Sequence, residues 1–431
     1  MQMKTDDQRK KMLILAMAVT AVFPLVFLRL DEPTFKLNVF KLLAKAGSLC
    51  GTMLLIWQCL LGYRGIGGRL VRDFIWVLHV HKTVGQYALL LILLHPVFIT
   101  LFYVQKHKGN PLTLSVGFPF DLYVFIGMLA FAMFLVVVVT SVFFRAKMDF
   151  KPWYGLHITS YPAIGLIFVH SFPIGQTLQD TRLDILWWAL LVLVAGLIGY
   201  RLLCQAGIGA RLHTVGRVKD VGDQAKEIIC KPINAPITPR IGQFVYFRQT
   251  RCETGRPFTV SRCDRTSVCI TVKAQGRYST ALQSVQPGQQ VLMDGPYGIF
   301  TQKPLAGRRP LVMVAGGIGI TPFYRLLTET TDPNREMILF YGNRTTDDII
   351  YGDALKEIQQ IKVVHVISHQ EDYPGEKGFI TVELMQKYVR QDLKAYDFLL
   401  CGPPVMITKV EQALSDIQIP SGQIHHELFS F

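Results

Sequence analysis

Four histidines stand as two spaced pairs inside long apolar runs of the chain. His81 and His95 are 14 residues apart in one run, and His157 and His170 are 13 apart in another. Fourteen steps of about 100° fall some 40° short of four turns, so both rings of the first pair leave one helix face, roughly 21 Å apart along the axis. Thirteen steps leave the second pair about 140° out of alignment. Pro162 offers a cause, because an interior proline permits a kink.

Histidines at membrane depth are costly and by default suggest a function. If the two helices run side by side, they bring together two stacked pairs of imidazoles, one towards each leaflet. Neutral imidazoles from facing helices of a bundle are natural axial ligands of haem iron, so the pairs predict two haems, one above the other. The alternative is four hydrogen-bonded packing histidines. Lys41 and Lys45 are expected to snorkel to the headgroups, or else to meet haem propionates or an anionic product.

The elements that must position these histidines are membrane helices. Half of the 431 residues are hydrophobic and 18% are charged, with a mean hydropathy of +0.30, which excludes a disordered or fibrous chain. Six apolar runs approach or exceed the ~20 residues that span a bilayer, near residues 12–30, 42–62, 74–104, 121–144, 154–172 and 183–204. We predict a six-helix transmembrane bundle over residues 1–206.

The distribution of basic residues predicts the orientation of the bundle. Ten basic residues lie before helix one, after helix two and after helix four, which is one side of the membrane. Five lie in the loops on the opposite side. The positive-inside rule then places both termini in the cytoplasm, in a multi-pass protein of the cell (inner) membrane. Eight cysteines form no CxxC or CxxCH motif, which argues against zinc, a redox dithiol and covalently attached haem.

Beyond residue 206 the apolar runs become short and alternate with turn residues, which predicts an antiparallel β-barrel over residues 207–306. Two motifs in it could hold a flavin by supplying an aromatic ring, a hydroxyl for its N5 edge, and cations with glycine-exposed amides for a pyrophosphate. The residues are Arg256, Pro257, Phe258 and Thr259 in the first motif and Lys273, Gly276, Arg277, Ser279 and Thr280 in the second.

Residues 307–431 predict a parallel α/β domain, because strand and helix patterns alternate there. A buried strand leads into Gly316, Gly317, Gly319, Thr321 and Pro322, a glycine turn that lets backbone amides approach a nucleotide pyrophosphate at a helix start. Arg344 stands where an adenosine 2′-phosphate would lie, which modestly favours NADPH over NADH. The last strand ends in Cys401, Gly402 and Pro403, at the edge where ligands of such sheets bind. Phe431 is either a packing tail or a ring that covers the flavin.

These motifs carry a resemblance over nearly the whole chain. The histidine-bearing half resembles the ferric reductase/NADPH oxidase transmembrane domain, and RPFT, VKAQGRYST, GPYG, AGGIGITP and CGPP resemble a ferredoxin–NADP reductase module. Together they resemble a compact prokaryotic NADPH oxidase. The resemblance implies that the four histidines ligate two b-type haems, that Arg256 and Arg277 bind FAD phosphates, and that Phe258, Thr259 and Phe431 contact the isoalloxazine. We assign Cys401 and Phe431 to catalysis.

The resemblance implies electron transfer from cytoplasmic NADPH, or NADH, through FAD and two haems to an acceptor across the membrane. Oxygen would give superoxide, whereas chelated Fe(III) would give Fe(II). Many oxidases have His where Arg256 precedes Pro-Phe-Thr, so the acceptor stays open. A cytochrome subunit that serves a periplasmic partner and a redox-sensing transporter or channel are further alternatives. We expect the lipid bilayer and a small acceptor as partners, no nucleic acid and no obligatory protein partner.

Overall fold

A computed structural model describes residues 2–113, 120–179, 181–251, 253–329, 335–358 and 361–427 of the chain. It divides into two compact units, Met1–Leu203 and Cys204–Phe431. Phe431, predicted above to cover a flavin, lies outside the described residues, as does Cys252.

The first unit is helical. Its helices are α1 (Gln2–Val22), α2 (Phe35–Lys45), α3 (Gly51–Leu61), α4 (Arg64–Leu70), α5 (Phe74–Gln105), α6 (Phe120–Val139), α7 (Phe150–Ile158), α8 (Ser160–Ile174), α9 (Gln176–Gln179) and α10 (Leu183–Gln205). A 3-10 turn, Phe23–Phe27, extends α1, and π-helical turns at Ala46–Cys50 and Thr140–Phe144 join α2 to α3 and extend α6. Five segments within the described residues are long and apolar enough to cross a membrane, Asp6–Phe27, Phe35–Leu61, Phe74–Gln105, Phe120–Phe144 and Leu183–Gln205. The membrane character is confirmed.

The predicted count of six spanning helices is not confirmed. The run near residues 154–172 forms two shorter helices, α7 and α8, which are separated at Thr159. Pro162 lies in the first turn of α8, where it has no N–H to donate to the carbonyl of Ile158. Because that bond is missing, the helix ends and restarts.

Small residues bring α5 close to the helices before it. A side-chain carbon built on Gly47 would lie 2.6 Å from the backbone nitrogen of His95, and one on Gly51 would lie 2.6 Å from Cγ1 of Ile92. Both α2 and α3 therefore touch α5 at the level of His95, and α8 packs on α6. The buried core of this unit includes Trp187, whose indole N–H donates to Ser171 Oγ at 3.1 Å.

The second unit begins with the predicted antiparallel barrel. It closes in the order β1-β2-β5-β4-β3-β6, from β1 (Arg211–Gly222), β2 (Ala225–Pro232), β3 (Phe244–Arg248), β4 (Arg256–Cys263), β5 (Val268–Lys273) and β6 (Gln290–Tyr297). Apolar side chains of every strand fill its interior. A short helix, α11 (Arg277–Ala281), follows β5.

A six-stranded parallel sheet completes this unit and confirms the predicted α/β fold. Its order is β10-β9-β8-β7-β11-β12, with β7 (Leu311–Gly316), β8 (Met337–Asn343), β9 (Lys362–Ile367), β10 (Glu376–Lys377), β11 (Asp397–Cys401) and β12 (Ile424–Glu427). The helices are α12 (Gln302–Ala306), α13 (Thr321–Glu329), α14 (Gly352–Lys356), α15 (Val382–Tyr388) and α16 (Pro404–Asp416). Apolar cores that include α13 and α14 on one face, and α15 and α16 on the other, bury the strands.

Candidate functional site

The helical unit brings the four predicted histidines together as two pairs. The ring centroids of His81 and His157 are 6.0 Å apart, and those of His95 and His170 are 6.3 Å apart. The 13-residue spacing is compatible with both meetings because His157 and His170 lie on separate helices, on either side of the break at Thr159. We call them the His81–His157 pair and the His95–His170 pair.

A group on a neighbouring element holds Nδ1 of each ring. Nδ1 of His95 lies 3.2 Å from the carbonyl oxygen of Ala44, and Nδ1 of His170 lies 2.7 Å from that of Tyr123. Nδ1 of His157 lies 3.2 Å from Ser141 Oγ. A carbonyl acceptor requires a proton on Nδ1, which leaves the lone pair on Nε2 free to bind a metal.

The fourth ring is held by a side-chain amide. With the Gln58 amide turned so that its oxygen accepts from the Gly85 N–H, its nitrogen lies 2.9 Å from both the carbonyl oxygen and Nδ1 of His81. Among the described residues, Nε2 of none of the four rings has a hydrogen-bond partner. Nδ1 is contacted in every case, and the carbonyl acceptors leave the Nε2 lone pair of His95 and His170 available. In His81 the amide donates to Nδ1, which places the proton of the neutral ring on Nε2, so binding of a metal there requires the other tautomer.

The spacing of the rings fits axial ligation of an iron. A metal–imidazole bond is about 2 Å long, so two opposed ligands place their nitrogens about 4 Å apart. Centroids at 6.0 and 6.3 Å allow for this distance and the half-width of each ring. Among the described residues, no group of three or more His, Cys, Asp or Glu could hold a bare ion. A planar macrocycle would supply the four remaining ligands, so the residues fit haem.

His157 has the more elaborate surroundings of the two histidines on α7 and α8. The Trp153 ring stacks on its imidazole at 5.0 Å, and the Trp153 N–H donates to Ser141 Oγ at 3.2 Å. The guanidinium of Arg145 lies 4.6 Å from the Trp153 ring. Ser141 therefore contacts both the imidazole and the indole, and fixes one against the other.

One of the two lysines predicted to snorkel makes ion pairs. Nζ of Lys41 lies 2.7 Å from Asp31 and 3.2 Å from Glu32, and Lys106 approaches Glu32 at 2.5 Å. Acidic side chains of the loop before α2 therefore neutralise Lys41, and its snorkelling to the headgroups stays a prediction. The charge of Lys45 instead acts on both His95 and His170.

In the second unit, β4 and α11 bring most of the predicted flavin residues together. The rings of Phe258 and Tyr278 stack with centroids 6.3 Å apart, and the Tyr278 hydroxyl donates to the carbonyl of Phe247 at 2.9 Å. The charge of Arg256 acts on Tyr278. Pro257, Arg277 and Thr280 are their chain neighbours, and Ser279 Oγ accepts from the Gly276 N–H at 3.1 Å.

Thr259 provides a test of whether this cluster fits a flavin. The residue is 4% exposed, and its hydroxyl has no hydrogen-bond partner among the residues that the structure describes. A buried hydroxyl without a partner is costly, and a ligand nitrogen such as the flavin N5 would satisfy it. The residues therefore fit the predicted cofactor.

Lys273 does not share this arrangement. Its ammonium lies 2.6 Å from Asp348, and that contact holds the pKa of Asp348 below its usual range. Lys273 is predicted to bind a pyrophosphate, but its ammonium already has an anionic partner in Asp348. Arg344 is exposed after β8, in keeping with its predicted access to a ligand.

The two glycine-containing turns of the sheet lie against each other at its carboxyl edge. A side-chain carbon on Gly316 would lie 2.7 Å from Pro403, and one on Gly402 would lie 3.0 Å from the Gly316 nitrogen. A carbon on Gly319 would collide with the carbonyl of Cys401. Gly317 has a φ of +52°, and nothing lies within 4 Å of its missing side chain. The turn is open on one side and packed on the other, as a cradle for a phosphate requires.

The helix after this turn starts as the sequence predicted. Thr321 and Pro322 are the first residues of α13, and both are buried. The Thr321 hydroxyl donates to the carbonyl of Ile318 at 3.1 Å, which ties the turn to the helix.

Glu427 is a candidate that sequence reasoning missed. It pairs in register with Cys401 across β11 and β12, it is 1% exposed, and neither carboxyl oxygen has a hydrogen-bond partner within the part of the chain that the structure describes. Burial raises the pKa of Glu427 to about 8 and raises that of the Cys401 thiol well above its usual range. The carboxyl lies beside Gly298 of the barrel, where a side-chain carbon would be 3.4 Å from Oε1. Its only signal in the sequence is weak, a single Glu that follows His425 and His426.

Comparison with known families now identifies the two halves. Residues 47–168 match the family described as ferric reductase like transmembrane component. The matched region includes three of the four histidines, and His170 lies just beyond it. Residues 313–412, which include the Gly316 and Cys401 turns, match the oxidoreductase NAD-binding domain. The chain thus joins a ferric-reductase-like transmembrane region to an NAD-binding domain of the oxidoreductase type, a combination that supports the ferric reductase/NADPH oxidase superfamily.

Relatives with matching sequences include several NADH-cytochrome b5 reductases. NADH-cytochrome b5 reductase 1 of Debaryomyces hansenii is 33% identical over 155 residues, which cover 33% of this chain and 54% of that protein. The protein of the same name from Meyerozyma guilliermondii is 32% identical over 185 residues, which cover 40% and 64%. The chain thus spans between about half and two thirds of their length.

Solved structures show a distant likeness. The flavohemoglobin of Malassezia yamatoensis with bound FAD and heme matches with a TM-score of 0.47 and 20% identity, over 81% of this chain and 98% of that one. A ferredoxin NADP+ reductase of Neisseria gonorrhoeae with bound FAD and NADP matches with a TM-score of 0.44 and 20% identity, over 50% and 97%.

Proposed function

We propose that the protein moves electrons from NADPH, or NADH, through FAD and two b-type haems to oxygen on the opposite side of the membrane, with superoxide as the product. The observation that carries this proposal is the meeting of the four histidines as two separate pairs, 6.0 and 6.3 Å between ring centroids. When bound, NAD(P)H supplies a hydride, FAD accepts its two electrons and releases them singly, and each haem iron carries one electron at a time.

The chain's own residues bind and orient these groups. His81 and His157 would hold one haem, and His95 and His170 the other. The carbonyls of Ala44 and Tyr123 fix the rings of His95 and His170 and keep their Nε2 turned to metal binding. Ser141 and Gln58 contact Nδ1 of His157 and His81 and hold those rings in place.

The second unit would hold the two nucleotides. Arg256 and Arg277 supply positive charge for FAD phosphates, and Phe258 and Thr259 supply the aromatic face and hydroxyl for its ring system. The turns at Gly316 and Cys401 would bind the nicotinamide dinucleotide at the carboxyl edge of the sheet. Glu427 is uncharged at neutral pH because its pKa is about 8. It would therefore present a protonated carboxyl beside Cys401, at the edge of the sheet where a nicotinamide would bind.

Oxygen is favoured by the charges at the end of the bundle where α1 and α2 meet. A metal chelate is usually anionic and needs free cations at its entry. Lys41 and Lys106 both pair with Glu32, so acidic partners neutralise these two cations. Ferric chelate reduction is the second candidate, because the matched family is described as ferric reductase like.

The orientation completes the proposal. The excess of basic residues at the ends of α3 and α6 favours both termini, and hence the nucleotide-binding unit, in the cytoplasm of a cell with an inner membrane. The acceptor would then be reduced on the far side, with no obligatory protein partner.

The decisive experiment is anaerobic reduction of the purified protein by NADPH with FAD, monitored through the Soret and α bands. We expect two haems per chain by pyridine haemochrome assay, and about one haem in His95→Ala and in His157→Ala. His79→Ala is the matched control, because His79 lies on the same helix as His95 with an exposed side chain. If both histidine variants keep two haems, the ligand assignment is wrong.

Choice of acceptor needs its own assay. With oxygen as acceptor, NADPH-dependent dye reduction is abolished by superoxide dismutase and by removal of oxygen. Rapid anaerobic formation of Fe(II) from an Fe(III) chelate, without dismutase-sensitive dye reduction in air, would instead establish the ferric reductase. Full haem reduction with slow oxidation by both acceptors would establish an electron-conducting subunit.

A further inference from the structure

Arg201 is a cation inside the helical unit, near the end of α10. Its guanidinium donates to the hydroxyl of Tyr161 on α8 and to that of Tyr154 on α7. It also lies over both rings, 4.8 Å from the centroid of Tyr161 and 5.8 Å from that of Tyr154. The two tyrosines therefore hold it by its edge and by its face.

No anion balances this charge among the described residues. Arg201 forms no ion pair with an Asp or Glu there, and its two hydrogen-bond partners are neutral hydroxyls. The side chain is partly exposed, and a cation held among membrane helices without an opposite charge is costly and indicates a functional site. A guanidinium has five N–H donors, and the two tyrosine bonds leave others for a ligand.

The guanidinium lies near one of the two histidine pairs. Its charge acts on His157, which follows Tyr154 by three residues on the same helix. Tyr161 begins the helix on the other side of the break at Thr159. The same two helix ends thus carry the imidazole and both residues that position Arg201.

We propose that Arg201 is an oxyanion-binding residue beside the His81–His157 pair, and that its ligand is a carboxylate of the porphyrin held there. The inference rests on the proposed function, because it needs a haem at that pair. A guanidinium matches a carboxylate through two parallel hydrogen bonds. The Tyr154 and Tyr161 hydroxyls fix its plane before the ligand arrives. A phospholipid phosphate offers the same oxyanion chemistry, since α10 ends close to Arg201, and the experiment separates the two.

The test uses the haem-loaded protein in detergent free of lipid. We expect Arg201→Gln to keep both axial histidines and to shift the propionate bending band of one haem in the low-frequency resonance Raman spectrum. Loss of a nearby positive charge favours the oxidised iron, so the equilibrium constant for reduction of that haem should fall about tenfold, as for one charged hydrogen bond. Arg201→Lys keeps the charge but cannot form two parallel hydrogen bonds with the carboxylate. It should retain the reduction potential of the unmodified protein and still shift the propionate bending band.

Three controls make the outcomes distinct. Arg182→Gln removes a basic residue just before α10 and should change neither band nor potential. A Tyr154→Phe and Tyr161→Phe double variant keeps the cation but removes the two hydroxyls that fix the orientation of the guanidinium plane. It should broaden the propionate bending band. In protein loaded with haem dimethyl ester, which has no carboxylate, the propionate bending band is absent and Arg201→Gln should leave the low-frequency Raman spectrum unchanged.

An unchanged Raman band and potential in Arg201→Gln that still binds two haems would overturn the inference and leave the proposed function intact. Effects that occur in phospholipid nanodiscs but vanish in lipid-free detergent would assign Arg201 to a lipid phosphate and also overturn it. Absence of haem from the unmodified protein would instead refute the proposed function.

Discussion

The imidazole of His170 lies directly against the backbone of Gly127. A side-chain carbon on Gly127 would collide with Nδ1 and lie 2.6 Å from Cε1 of that ring. The same Nδ1 is 2.7 Å from the carbonyl of Tyr123, one turn earlier on α6. The glycine therefore leaves the space in which the histidine reaches its acceptor.

Gly127→Ala should displace His170 and lower haem content from two to about one per chain. The added methyl cannot be accommodated without moving the ring, and interiors of this density are not easily deformed. Pyridine haemochrome assay measures the loss. Gly165→Ala on α8 is the matched control, because nothing lies within 4 Å of its missing side chain. Two haems in Gly127→Ala would show that this contact does not position the ligand.

Ser141→Ala should weaken the site at His157 without removing a ligand. Partners of a metal-bound histidine raise its basicity, and their loss typically costs about 10- to 100-fold in metal affinity. We expect faster loss of haem on dilution and a higher midpoint potential for one haem. Ser141→Thr should restore both to the values of the unmodified protein. Trp153→Phe keeps the stacked ring and should have a smaller effect. Equal haem retention in Ser141→Ala and the unmodified protein would contradict this role.

Glu427→Gln should remove a pH dependence of stability in the second unit. The pKa of Glu427 is about 8 in the folded chain against 4.5 for the ordinary side chain, so the folded state binds the extra proton between these values. Stability should therefore fall as pH rises from about 4.5 to 8, by up to about 1.4 kcal/mol per pH unit. Thermal unfolding of the loaded protein across this range checks the slope, which should flatten in the variant. A steeper loss towards acid in that range would reverse the assigned sign.

The same variant tests the catalytic placement of Glu427. An amide keeps the shape but has no ionisable proton, so the rate of hydride transfer to FAD should lose its dependence on pH around 8 while NADPH binding changes little. Stopped-flow reduction of the flavin measures the first, and fluorescence titration the second. A rate unchanged between pH 6 and 9 in both proteins would place Glu427 outside the reaction.

Gly319→Ala should close the nucleotide cradle. Its new methyl would collide with the carbonyl of Cys401, so the two turns must separate. We expect NADPH affinity to fall more than tenfold, with a loss of stability of about 1–3 kcal/mol from overpacking. Gly422→Ala is the control, because its missing side chain has open space. Unchanged affinity with lowered stability would mean that the turns merely pack.

Much of the architecture could be predicted because it depends on local patterns. Alternation of strands and helices, with glycine after β7 and Cys-Gly-Pro after β11, sufficed for the parallel sheet. The break between His157 and His170 followed from Pro162, although the pattern alone suggested one kinked helix rather than two short ones.

The remaining features depend on contacts between distant parts of the chain. Lys41 looks like any lysine at a helix end until the loop before α2 brings Asp31 and Glu32 to it. Lys273 belongs to a basic motif, yet Asp348, 75 residues away, pairs with it. Glu427 reads as a solvated terminal acid, and only the pairing of β12 with β11 buries it against Cys401.

Because of the interruption at Thr159, the two helical sides that carry the histidines respond differently to changes in the sequence. On α5, His81 and His95 share one uninterrupted rod, so a residue inserted between them would rotate one ring by about 100° relative to the other. On the opposite side each imidazole sits on its own short segment, and an insertion at the joint could be absorbed there. Divergence of the two histidine pairs in orientation, and of the proposed haems in potential, is therefore open to substitutions on α7 and α8 and closed to changes of length in α5.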